Sequence, residues 1–189
     1  MAGALIAIAI GAGLLVLQSM DAEAKLEARP ATVLARKTRT AIRQPLGVIA
    51  LVPVAWTMIG LASAAIAFVP FRRLAPLLGR SLGTVAMVPV VPSAQLRRAA
   101  AIGHAIAVAA KYAPFRSNCL PQALAAATLC RWAGIPYAAF LGASLSGSGE
   151  SGMSAHAWIQ SGRVSVTGGR GSFKLYNVVA CFVPRGVDV

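Results

Sequence analysis

Cys119 and His156 are the residues of this chain best suited to covalent chemistry. Cys119 stands in Ser117-Asn118-Cys119-Leu120-Pro121, which reads as a helix start: Ser117 and Asn118 are candidate caps, and Pro121 is acceptable in a first turn. A helix N-terminus presents unsatisfied N–H groups and the positive end of the dipole. That setting favours a nucleophilic thiolate, and the same N–H groups can hold an oxyanion formed beside the sulfur. His156 stands in Ala155-His156-Ala157-Trp158, which reads as a strand. A strand imidazole facing a helix-terminal thiol can take up its proton and later return it to a leaving group. A cysteine and a distant histidine also coincide as ordinary core residues, so the pair needs a frame around it.

Rival chemistries lack their residues. The acids are Asp21, Glu23, Glu27, Glu150 and Asp188, too few and too scattered for a two-carboxylate glycosidase or a carboxylate-rich Mg²⁺ site. The cysteines, Cys119, Cys130 and Cys181, form no C-x-x-C, and an odd number argues against a disulfide framework. His104 and His156 lack zinc-ligand spacing. No metal or cofactor is expected. Gly147-Ser148-Gly149-Glu150-Ser151-Gly152 matches G-x-G-x-x-G, but a strand follows it instead of a helix, so it reads as a flexible loop. Cys130 and Cys181 read as small buried hydrophobes, His104 as a core or surface residue, and Trp158 as packing beside His156.

The elements that must position the pair follow from punctuation and period. A helix is expected from Ser93, after Pro92, to about Tyr112, with Pro114 ending it. A second runs from Asn118 or Cys119 to Ala133, with Gly134 as its stop. Strands follow at Tyr137–Gly142, Ala155–Gln160 and Arg163–Thr167, the last two joined by a turn at Ser161-Gly162. On that register Thr167 falls opposite His156.

The first half has a different texture. Of the 189 residues 57% are hydrophobic and 12% charged, with a mean hydropathy of +0.70, against roughly 25% charge in a soluble domain. Wholesale disorder is excluded. The net charge of +13 suits an anionic membrane, an acidic protein or a nucleic acid; scattered arginines and no recognised motif argue against nucleic acid. Residues 2–17 are apolar, 25–43 are basic, and 44–71 carry no charge. The first run reads as a secretory signal, an anchor, a buried helix, or a stretch ahead of a true start at Met20; the absence of a positive n-region disfavours a cleaved signal. The uncharged run exceeds the roughly 20 residues that span a bilayer. Pro45, Pro53 and Pro70 punctuate it, and spanning, buried and membrane-lying readings all stand. Three regions are expected: 1–45, an apolar run plus basic linker; 46–92, apolar and helical; and 93–189, the chemical core.

The order of a helix-start cysteine, a strand, a loop, a histidine strand, a hairpin and a strand resembles the transglutaminase-like, papain-related cysteine protease core. More closely, residues 55–169 resemble the lasso-peptide biosynthesis B proteins, the microcin-processing leader peptidases. Pro70-Phe71-Arg72-Arg73-Leu74, Asn118-Cys119-Leu120-Pro121-Gln122-Ala123-Leu124, Ala133-Gly134-Ile135-Pro136 and Ala155-His156-Ala157-Trp158-Ile159 carry the resemblance. It implies an α+β fold, in which a helix with an N-terminal cysteine packs on a small antiparallel sheet, preceded by an apolar helical region. It implies a cysteine protease that removes the leader of a lasso-peptide precursor, with Cys119 as nucleophile and His156 as base. The implied partners are the precursor, a separate leader-binding protein supplied in trans and an asparagine-synthetase-like, ATP-dependent macrocyclase. The implied location is the cytoplasm, with membrane contact through the N-terminal half left open. The family usually adds an Asp on the strand after the histidine, and here no acid lies between Glu150 and Asp188. Thr167, a backbone carbonyl or Asn177 is left to orient the imidazole. An impaired scaffold protein and an acyltransferase using the same pair are the alternative functions.

Overall fold

A computed structural model describes residues 46–144, 153–169 and 171–186. The readings of 2–17 and 25–43, and of the glycine-rich loop with Glu150, lie outside these residues.

The uncharged run folds as one long helix, α1 (Leu46–Phe68), long and apolar enough to cross a membrane. Val48, Ala55 and Ile59 form its buried stripe, at the spacing of one helix face. Helix α2 (Phe71–Leu78) buries Leu74 and Leu78 and is followed by the short strand β1 (Arg80–Ser81). Helix α3 (Ser93–Lys111) starts directly after Pro92, as expected. It buries Ala99, Ile102, Ala105, Ile106 and Ala109, a three-four repeat of small and branched residues that lets other elements approach closely. His104 points to solvent from the other side. Helix α4 (Cys119–Trp132) is buried along most of its length and ends at Gly134, whose φ of +65° suits the left-handed stop.

Five strands form one sheet in the order β1-β5-β2-β3-β4, with every pairing antiparallel. The strands after β1 are β2 (Ala138–Ser144), β3 (Ser154–Ser161), β4 (Val164–Thr167) and β5 (Asn177–Val183). A single turn of helix, α5 (Ser172–Leu175), separates β4 from β5. Side chains alternate along β3. Ala157 and Ile159 join the core beneath the helices, whereas Trp158 packs with Ala138, Phe140, Cys181 and Val183 on the opposite face. The expected α+β arrangement, with the cysteine helix on a small antiparallel sheet, is therefore present. From residues 46–92, Ala55, Ile59 and Leu78 share one core with α3 and α4, and β1 extends the sheet through β5.

Burial sets the fold's response to alkali. It pushes the Cys130 thiol up from 9.0 to about 12 and the Tyr137 phenol from 10.0 to about 12. The Tyr137 hydroxyl donates to the Leu78 carbonyl at 3.1 Å, tying α4's exit to α2. Between pH 9 and 12 for the thiol, and between pH 10 and 12 for the phenol, the unfolded chain loses the proton and the folded chain keeps it. The folded state binds more protons there, so stability is whole below pH 9 and falls toward pH 12. Urea midpoints measured across this range should decline, and Cys130→Ala should flatten the slope. An unchanged slope in that variant would contradict the assignment to Cys130.

Candidate active site

Cys119 is the first residue of α4 and is half-buried against the helix-side core. The segment that delivers it is clamped from several sides. Ser63 of α1 donates to the Arg116 carbonyl at 2.7 Å, and Ser117 donates to the Ala110 carbonyl of α3 at 3.0 Å. The Gln122 side-chain amide reaches back to the Ser117 carbonyl at 2.6 Å. Phe115 lies edge-on to Trp56 at 5.2 Å and against Gly60, where an added Cβ would stand only 3.3 Å from its ring. Pro121 has no N–H and Gln122 N–H bonds to the Asn118 carbonyl, which leaves the Cys119 and Leu120 N–H groups as the free donors of the first turn. They suit an oxyanion beside the sulfur.

The other thiols do not compete. Burial raises both Cys130 and Cys181, and each is enclosed in core. No cluster of His, Cys, Asp or Glu able to hold a metal occurs among the described residues.

His156 is half-buried on β3, opposite Gly142 of β2. Its ring stacks on Tyr176 at 4.8 Å and on Trp158 at 5.8 Å. Trp158 is fully buried, so the packing role holds for it. The His156 Nε2 lies 3.2 Å from the Gly168 carbonyl oxygen. A carbonyl only accepts, so this bond places the proton on Nε2 and leaves the lone pair of the neutral ring on Nδ1. Nδ1 is then the basic nitrogen. The Gly168 carbonyl is itself held, because the buried Ser172 hydroxyl donates to it at 2.8 Å.

The register places Thr167 opposite Ile159, not opposite His156 as expected. The turn falls at Gly162-Arg163, one residue later than expected, and a bulge between Ile159 and Gln160 shifts the pairing further. Thr167 consequently pairs with Ile159, and its buried hydroxyl accepts the Ile159 N–H at 3.2 Å. The next residue, Gly168, leaves the ladder with φ +85° and turns its carbonyl toward the ring. Of the three alternatives for the orienting group, the backbone carbonyl is the one in place. Asn177 lies on β5, with β2 between it and β3.

Cys119 and His156 sit toward the same end of the sheet. The short 133–137 connection sets the end of α4 beside the start of β2, so the helix start faces the far end of β2, where the antiparallel β3 begins. They approach from different sides. Helix α4 covers the face that Ala157 and Ile159 present, while the imidazole lies with Trp158 and Tyr176. No hydrogen bond joins the two among the described residues.

Ser172 and Tyr176 escaped the sequence reading. Both follow the Gly168-Gly169 pair, and only the fold of α5 brings them back to His156. No curated protein and no solved structure matches the chain. The family described as the transglutaminase-like superfamily matches residues 65–181, a span that runs from within α1 to β5 and holds Cys119, His156 and Gly168. With well over half of its length inside that match, the chain belongs to the transglutaminase-like superfamily.

Proposed function

We propose that the protein is a cysteine peptidase that cuts the leader from a lasso-peptide precursor. The observation that carries the chemistry is the approach of His156 Nε2 to the Gly168 carbonyl at 3.2 Å, which assigns the proton to Nε2 and leaves Nδ1 as the base at the end of the sheet where α4 presents Cys119. Membership of a superfamily with cysteine proteases and acyltransferases supports this class of reaction. The motif blocks around Cys119 and His156 support the choice of substrate.

The proposed cycle requires substrate binding to bring the imidazole and the Cys119 sulfur together around the end of the sheet, because the two lie on different sides of it in the free protein. Nδ1 takes the thiol proton and the thiolate attacks the scissile carbonyl. The oxyanion is held by the Cys119 and Leu120 N–H groups. The intermediate expels the amine, which takes the proton from Nδ1, and leaves a thioester on Cys119. Water then attacks, giving its proton to the imidazole, and the tetrahedral adduct expels the thiolate and releases the carboxylate. No cofactor enters. A separate leader-binding protein presents the precursor, and an ATP-dependent macrocyclase consumes the released peptide. Reconstitution with precursor, leader-binding protein and cyclase should yield one cut at the leader boundary. If an intact precursor persists under those conditions, the lasso assignment is lost.

One observation favours a second reading, an impaired scaffold protein: a neutral carbonyl stands where a carboxylate would stabilise the imidazolium more strongly. Alkylation separates the two. In a peptidase, a chloromethyl ketone built on the peptide before the cut, which fills the substrate site and closes the contact, should modify Cys119 alone, and His156→Ala should slow that reaction at least about tenfold, because the imidazole promotes the thiolate. Equal rates in the two proteins would favour the scaffold.

A further inference from the structure

Helix α1 uses only part of its circumference. Val48, Ala55 and Ile59 face the core, while Ile49, Val54, Trp56, Leu61 and Phe68 are exposed. Phe68 is 87% exposed and Leu61 59%, values for open surface and not for loose packing. The helix carries no charge. The hydroxyl of Thr57, on the outward side, is spent on the Pro53 carbonyl at 3.0 Å. An apolar surface this continuous marks a contact with something apolar.

The surrounding charge indicates what that is. Among the described residues, each charged side chain flanking α1 is a cation. Arg72 and Arg73 follow its C-terminal end. Arg97 and Arg98 wall a groove of about 690 Å³ beside Val48, Leu51 and Val54 at its N-terminal end. A second copy would set these arginines against those of its partner, which like charge opposes. An anionic bilayer offers hydrocarbon to the helix and phosphates to the arginines.

We propose that α1 docks in the plane of an anionic phospholipid surface, with its exposed face in the leaflet and the four arginines at the headgroups. It lies on the membrane and does not cross it. Helices α3 and α4 pack along α1, and a crossing would carry Arg97, Arg98, Lys111 and Arg131 into hydrocarbon. Docking sets Phe115, which packs on Trp56, near the interface and brings the entrance of the Cys119 helix to lipid level. This inference is independent of the peptidase reading.

The test uses the full chain with phosphatidylcholine vesicles, with and without phosphatidylglycerol. Lipids brominated on the acyl chains should quench tryptophan fluorescence in the phosphatidylglycerol vesicles, and Trp56→Phe should remove most of that quenching. Salt should weaken binding. Leu61→Asp with Phe68→Asp should weaken it about tenfold or more, since both side chains lie outside the core. A chain held on vesicles with Trp56 unquenched overturns the proposal, because another segment is then the anchor. Equal quenching on vesicles without phosphatidylglycerol overturns the part assigned to the arginines. Dimers that shield Trp56 without lipid overturn it in favour of a second copy.

Discussion

Cys119→Ala is expected to abolish precursor cleavage and leave the fold intact. The side chain is half-buried at the first position of α4, and replacing it removes one sulfur from the margin of the core. That should cost about 1 kcal/mol or less of stability. The chemical loss is far larger. Without the sulfur no thioester can form, and only binding and the two N–H donors remain, so kcat should fall by about 10³-fold or more. His156→Gln is the matching variant. Its amide can still donate to the Gly168 carbonyl and keep the local fold, but it cannot accept the thiol proton. Nucleophile and base act as a unit, so the double variant should be scarcely worse than either single one. Mass spectrometry of a stalled reaction should find acyl adduct on Cys119 in the wild type and none in the variants. Full cleavage by Cys119→Ala would falsify the mechanism.

What was legible in the sequence was whatever short-range rules govern. Pro92 and Pro114 bounded α3, Asn118 and Gly134 bounded α4, and the apolar alternation of β2 and β3 showed through. Cys119 could be set at a helix start because Pro121 and its polar neighbours mark one. Strand β5 could not be placed so easily. Asn177–Val183 is a short apolar run, and its insertion between β1 and β2 is a long-range pairing that no local signal encodes. The orienting group failed for a related reason. Register depends on where a turn closes and whether a bulge intervenes, and a turn at Gly162-Arg163 together with the bulge at Ile159 put Gly168, not Thr167, beside the imidazole. A backbone carbonyl stood among the three alternatives, but no local signal says which residue's carbonyl the register brings to the ring. Texture alone does not tell burial from partnership: α1 is apolar both on the stripe it shares with α3 and α4 and on its exposed face.

On the corrected register an acid restored at position 167 stands opposite Ile159 and not beside His156. Thr167→Asp should lower stability by several kcal/mol and give no gain in activity. Thr167 is only 6% exposed, and its hydroxyl is committed to the Ile159 N–H inside the sheet. A carboxylate there must be desolvated or protonated, and no cation is bonded to that site. The contrasting change is Gly168→Ala. Residue 168 has φ +85°, which L-residues seldom adopt, and an added Cβ would collide with the Trp158 Cβ and stand 3.0 Å from His156 Nε2. The turn must shift, taking the carbonyl with it, so Gly168→Ala should lower kcat about tenfold or more while KM changes little. Ser172→Ala, which removes the other bond to that carbonyl, should act in the same direction but more weakly, with a stability cost of about 1 kcal/mol. Thermal melts and rates at saturating precursor, measured for all three variants, separate the effects. If the carbonyl orients the ring, activity follows Gly168 and Ser172, and Thr167 registers only in the melt. A stable Thr167→Asp protein with raised kcat would instead mean that His156 faces β4 during turnover and that the Gly168 contact is not the working one.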